Sequence, residues 1–303
     1  LDDDIIVYPA HGAGSSCGKN LSKETFSTLG IQKKTNYALR ENMSKQEFIS
    51  ELLDGMPTPP RYFKENAMMN KQGYNSFDDV IRQGDRALDI SEFKNFLLNP
   101  DIILLDVRHQ KDFIKKHIPN SIFIGLNGSF APWVGSIIGD TNKKIILITP
   151  KGKESEAVTR LSRVGFDNCL GYLKGGVEKW EKDGNSVSSL ETIKSKNFID
   201  ILKLNKINIL DVRKESEFSS KHIEGATNIP LRLLSSRFQE LKVDENLYVH
   251  CAGGYRSVIA ISILRKKGYG GMINITEGFN EILKSDLNEN CYNSNLEASC
   301  NNI

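Results

Sequence analysis

The sequence predicts an α/β protein built from two tandem domains, each a central parallel sheet flanked by helices, with a shorter segment of a different kind in front. Three observations carry this. Residues 104 to 124, LLDVRHQKDFIKKHIPNSIFI, match residues 209 to 229, ILDVRKESEFSSKHIEGATNI. Asp106, Arg108, Phe113, His117 and Ile118 thus recur as Asp211, Arg213, Phe218, His222 and Ile223, each displaced by 105. Downstream, GYLKGGVEKW (171 to 180) echoes INITEGFNEIL (273 to 283). Each copy also alternates short β-rich runs with helical patterns, the signature of βα units around a mainly parallel sheet. A copy of about a hundred residues is of ordinary domain size.

In chain order, DIIVYPAHGAGSSCGK is a strand running into a glycine-rich turn at His11. Helical segments follow, one opened by the capping box of Ser44 and Glu47, and PTPP at 57 to 60 ends the last of them. One strand and a few helices are too little sheet for a domain, so residues 1–80 are expected to be the C-terminal piece of something larger. The first copy is placed at 84–184, with KIILIT as a strand and SEAVTRLSRVG as the helix after it. GNSVSSL (184 to 190) reads as a link. The second copy is placed at 188–287, with strands in INILDV, YVH and MINIT. SVIAISILRKKG is its helix, closed by a glycine just past a basic last turn. From about Ser285 the chain is rich in asparagine and serine without a period, so 288–303 is expected to be a disordered tail.

Lysine plus arginine (40) nearly balance aspartate plus glutamate (38), which leaves no basic field for nucleic acid or an acidic membrane. Any bound anion must be gripped locally. The five cysteines, Cys17, Cys169, Cys251, Cys291 and Cys300, are odd in number and scattered, unlike a disulfide framework or a zinc knuckle. With no apolar run near membrane length and no signal-peptide pattern at LDDDIIVYPA, a reducing cytoplasm is the expected setting.

The candidate site is VHCAGGYRS. A parallel strand that ends in a loop opening a helix aims backbone N–H groups into the loop, and the helix N-terminus adds about half a positive charge. Two glycines let several amides converge, which makes a cradle for an oxyanion or a thiolate. Cys251 would sit at its centre, its thiolate favoured by the amides and by Arg256. Ala252, Gly253, Gly254, Tyr255, Arg256 and Ser257 would form the substrate-binding ring, with Ser257 a helix-start hydroxyl. Arg256 either binds the anionic end of a donor, the preferred reading, or pairs with an acidic neighbour. A buried inert thiol is the bland alternative for Cys251. Asp211 and Arg213 are expected to fix the strand end and pair locally, for instance with Glu215 or Glu217. His222 is expected to serve packing and hydrogen bonding. His250 should point away from Cys251 and is not taken as a base.

Loop length separates two chemistries. Protein tyrosine phosphatases wrap phosphate with a cysteine, five residues and an arginine, whereas four residues stand between Cys251 and Arg256. LDVR, the H-I-x-G-A-x-N-I-P run at 222 to 230 and CAGGYRS together resemble a rhodanese domain. That resemblance implies a sulfurtransferase in which Cys251 takes sulfane sulfur from thiosulfate or a low-molecular-weight persulfide and passes it to a thiol or cyanide. The expected partners are therefore small sulfur donors and thiol acceptors, with a homo-oligomer allowed for. The rival readings are a non-catalytic sulfur-carrier or docking module and, less favoured, a small cysteine phosphatase or arsenate reductase.

In the first copy, alignment puts Thr149 and Pro150 where the cysteine should be, with a loop read as shorter, so this copy resembles an inactive rhodanese-like domain. Cys169 lies in the wrong element to replace the nucleophile. Lys151 and Lys153 are read as solvated. VYPAHGAGSSCGK and LLDGMPTPPRYF resemble the C-terminal end of a metallo-β-lactamase-fold domain, of the kind fused to rhodanese domains in persulfide dioxygenases. By that resemblance His11 is a remnant of a metal-site region whose other ligands come earlier in that family. No functional metal or other cofactor is then expected in this chain, and iron only with the preceding domain.

Overall fold

The computed structural model describes residues 1–9, 24–40, 42–54, 62–241 and 246–284, and the backbone of 291–292. The chain divides into two compact units, Leu1–Pro59 and Pro60–Ile303.

In the first unit, strand Ile6–Val7 pairs antiparallel with Ser27–Thr28, which runs directly into the helix Leu29–Thr35. Thr28 caps that helix by accepting the Ile31 N–H. The capping box read at Ser44 is present on the helix Lys45–Leu53: Ser44 Oγ accepts the Glu47 N–H, and Glu47 accepts the Ser44 N–H at 2.7 Å. Among the described residues of this unit only Gly30 is fully buried. His11 and the glycine-rich turn lie outside the described residues.

The second unit holds two five-stranded sheets, all parallel and of one strand order. The first runs Ala87–Leu88, Cys169–Leu173, Ile145–Ile148, Ile103–Asp106, Ile122–Phe123. The second runs Glu191–Ile193, Met272–Ile275, Leu247–His250, Asn208–Asp211, Thr227–Asn228. The middle strand of each sheet, IILI at 145 to 148 and LYVH at 247 to 250, is buried throughout, as expected where helices cover both faces.

Two boundaries differ from the sequence reading. The chain divides after Pro59 rather than near residue 80. The helices Tyr62–Gln72 and Phe77–Gly84 belong to the first copy, because their apolar faces are covered there. Tyr62 lies so close over Gly135 that a Cβ at Gly135 would meet its ring, and a Cβ at Gly84 would meet Val158 and Cys169. In the tail read as disordered, Cys291–Tyr292 pair antiparallel with His222–Ile223, whose edge is open to a partner. The rest of the tail lies outside the described residues.

The helix Tyr255–Lys266 joins the copies. Every residue from Ser257 to Leu264 is buried, and a helix apolar all round must be covered all round. One side packs on its own sheet and another meets the Ile122–Phe123 edge of the first sheet, where the Phe123 N–H donates to Ser262 Oγ at 3.0 Å. One continuous apolar core therefore runs through both copies. The 184–190 link is also tied down. Ser188 and His117 exchange backbone hydrogen bonds at 2.8 Å, and Arg265 donates to Ser188 Oγ and the Ser189 carbonyl.

Candidate active site

Cys251 follows the last residue of the Leu247–His250 strand, and the helix Tyr255–Lys266 begins four residues later. Gly254 takes φ 85°, and a Cβ there would stand 1.9 Å from the Thr276 carbonyl oxygen, so only glycine fits. This turn brings the Gly254 N–H onto Cys251 Sγ at 3.2 Å, with Ser257 Oγ at 3.8 Å. The loop's carbonyls are turned out: Cys251 O accepts the Phe279 N–H at 2.8 Å and Ala252 O accepts the Asn280 N–H at 3.0 Å. Because the peptides are trans and planar, the N–H groups of Ala252 and Gly253 face away from that segment. Gly278 is forced in the same way, since a Cβ there would lie 2.4 Å from Cys251 O. Cys251 is 1% exposed and belongs to the apolar core that runs through both copies, with the Gly254 N–H facing its sulfur.

Two of the expected ring residues direct their side chains elsewhere. Tyr255 reaches into the first copy, where its hydroxyl donates to Gly125 O and its ring meets Phe123 edge-on; burial pushes its phenol up to about 12. Arg256 is bound to an acidic neighbour, the alternative that the sequence left open. Nη1 and Nη2 donate to the Glu217 carboxylate at 2.7 and 2.8 Å. Glu217 is the residue that sequence reasoning did not place at the site, having named it only as a partner for Arg213. Its signal was weak, because 39 residues separate the pair.

Arg213 pairs with Asp211 instead. Its Nε and Nη2 donate to the carboxylate at 2.6 to 3.0 Å, its backbone N–H donates to Oδ1, and Nη2 also reaches Lys221 O. The guanidinium lies 3.8 Å over the Phe279 ring. Glu215 is taken by Arg232. Asp106 and Arg108 repeat the arrangement in the first copy. His222 stacks on Phe218 with Nδ1 2.9 Å from Phe218 O, as His117 does on Phe113. His250 is fully buried and stacked on Phe279, with Nε2 3.7 Å from Asp211 Oδ2. Burial is the main cause of its lowered pKa, which Asp211 partly offsets.

Strand register puts Ile148 beside Asp106 as His250 lies beside Asp211, so Thr149 occupies the position of Cys251. The loop that follows is one residue longer than its counterpart, not shorter: the helix opens at Glu154, with Lys153 before it making no side-chain cap. Lys153 pairs with Glu156 and Lys151 is exposed. Cys169 is buried in the first sheet, its thiol pushed up to about 12 by burial. Among the described residues no three His, Cys, Asp or Glu side chains converge as metal ligands, and no helix is long and apolar enough to cross a membrane.

Comparison with known proteins matches the repeat. The rhodanese-like domain model covers residues 89–183 and 195–285. The Bacillus subtilis (strain 168) protein YqhL is 40% identical over 74 residues, covering 24% of this chain and 59% of its own length. A sulfurtransferase of Allochromatium vinosum is 30% identical over 70 residues, covering 23% of this chain and 65% of its own. Thus the chain spans under two thirds of these relatives. Among solved structures, a metallo-β-lactamase of Staphylococcus aureus subsp. aureus COL is 31% identical, covering 57% of this chain and 45% of its own, with a TM-score of 0.42. With the family model matched twice, once on each sheet, the chain belongs to the rhodanese-like domain family.

Proposed function

We propose that the chain is a rhodanese-type sulfurtransferase working through a persulfide on Cys251. The Gly254 N–H aimed at Cys251 Sγ is the observation that carries this reading, because it places a donor where a thiolate or a bound sulfur atom needs one. The thiolate attacks the donor's terminal sulfur and forms an Sγ–S bond as the donor fragment leaves with the electron pair. An acceptor thiolate or cyanide then attacks that outer sulfur and releases the Cys251 thiolate. Two half-reactions through one covalent intermediate give ping-pong kinetics. Thiosulfate and organic persulfides are the donor classes, and the scheme uses no cofactor.

Thr149 gives the first copy no thiol at the equivalent position, so its role is support. The phosphatase reading is disfavoured, since the loop's arginine is occupied by Glu217. The 33% identity over 112 residues to a putative sulfur carrier protein of Bacillus subtilis favours a second reading, a sulfur carrier that is loaded and unloaded by partner proteins. The motif resemblance, expected over residues 1–80, supports reading the stretch before the first copy as the end of a metallo-β-lactamase-fold domain.

The test is turnover with thiosulfate and with an organic persulfide, using cyanide as acceptor, alongside intact-mass detection of the persulfide. The wild-type chain should turn over and Cys251→Ser should not. Full activity in Cys251→Ser sinks the assignment. A chain that gains one sulfur on Cys251 without turnover is a carrier.

A further inference from the structure

Glu217 comes to the loop from a separate element, the helix Glu215–Ser220. Its carboxylate takes both terminal nitrogens of Arg256, the planar two-pronged match of guanidinium and carboxylate. Oε2 also accepts the Lys214 backbone N–H at 3.0 Å, which fixes the acid to the start of its own helix. The pair is partly shielded, with side-chain exposures of 17% for Arg256 and 32% for Glu217. Hydrogen bonding to Arg256 draws the Glu217 carboxyl down to about 2, so it is ionised throughout the neutral range. The one arginine of the CAGGYRS loop is therefore neutralised before any donor arrives.

We infer that Glu217 is a specificity-determining residue: by occupying Arg256 it selects organic persulfides over thiosulfate as sulfur donors. This rests on sulfur transfer at Cys251. In both reactions the Cys251 thiolate takes the terminal sulfur, but the leaving groups differ. Thiosulfate releases sulfite, and its sulfonate carries negative charge one bond from the transferred atom. An organic persulfide reacting as RSSH releases a thiolate while its proton stays on the transferred sulfur, and its other charges lie on distant groups. A free guanidinium beside the loop would stabilise the sulfonate on entry and the sulfite on departure. With Glu217 in place, the sulfonate must displace a carboxylate already seated on both nitrogens, and it then lies beside that displaced charge. A persulfide meets no such competition.

The experiment compares kcat/KM for thiosulfate and for cysteine persulfide, with cyanide as acceptor, in wild type, Glu217→Gln and Glu217→Ala. Glu217→Gln keeps an acceptor for the Lys214 N–H while removing the charge. The thiosulfate-to-persulfide ratio should rise about tenfold in both variants, through a lower thiosulfate KM. Glu217→Asp, which keeps the charge but is one methylene short, should move the ratio the same way by less, and serves if the neutral variants do not fold. Wild type that turns over neither donor overturns the sulfur-transfer reading beneath. Turnover with an unchanged ratio in every folded variant overturns the role of Glu217 alone.

Discussion

The Tyr255 hydroxyl donates to the Gly125 carbonyl at 3.0 Å, joining the loop of one copy to the backbone of the other across 130 residues of sequence. Tyr255 is also the first residue of the helix whose N-terminus faces Cys251, one position after the amide bonded to the sulfur. The first copy, whose own equivalent loop starts at Thr149, thereby anchors the loop that carries the cysteine. Tyr255→Phe keeps the ring and removes the bond, and should lower kcat for cyanide-dependent sulfur transfer by about threefold to tenfold. Gly128→Val attacks the same contact from the other copy, since even a Cβ there would lie 2.5 Å from the Tyr255 ring. Its kcat should fall at least as far. Wild-type activity in both variants would show that the loop is set by its own domain.

Asp106 and Arg108 are a buried pair whose removal one partner at a time leaves a stranded charge. Burial raises the Asp106 pKa, which Arg108 opposes. Arg108→Met should destabilise the first copy by about 3 to 5 kcal/mol. Both tryptophans, Trp133 and Trp180, lie in this copy, so urea unfolding followed by tryptophan fluorescence reads it selectively. A midpoint unchanged from wild type would refute this.

His117 makes the same copy sensitive to mild acid. Burial pulls its imidazole from 6.5 down to about 4. Between those values the unfolded chain binds more protons than the folded one, so stability is fully present above about pH 6.5 and falls as the pH drops toward 4. The loss is on the order of 3 kcal/mol. The urea midpoint should drop more steeply from pH 7 to 4.5 in wild type than in His117→Gln. Parallel curves would remove His117 as the cause.

The repeat made the sheets legible because its matched residues are structural fixtures. Asp211 and Arg213 lie two apart at the end of an extended strand, on one side, and so pair with each other. The spacing held that answer, although acids further along the chain were named instead. The edge strands were not legible, since Ala87–Leu88, Ile122–Phe123 and Thr227–Asn228 are two residues long and show no period. Cys251 was legible through its glycines, whose need for positive φ at Gly254 follows from the turn itself. Arg256 was ambiguous for a different reason, because its partner is chosen by tertiary packing. Tyr255 was assigned to its own loop, since nothing in a single chain segment announces that a hydroxyl will cross to a neighbouring domain.

The seven residues between the copies carry a mechanical consequence. A polar, small-residue stretch ordinarily gives a swivel, yet Ser188 is sewn to His117 on one side and, with Ser189, to Arg265 on the other. Both halves of the tandem thus share a seam, and their relative tilt is set at assembly. An insertion placed there would lengthen the thread without freeing the cloth.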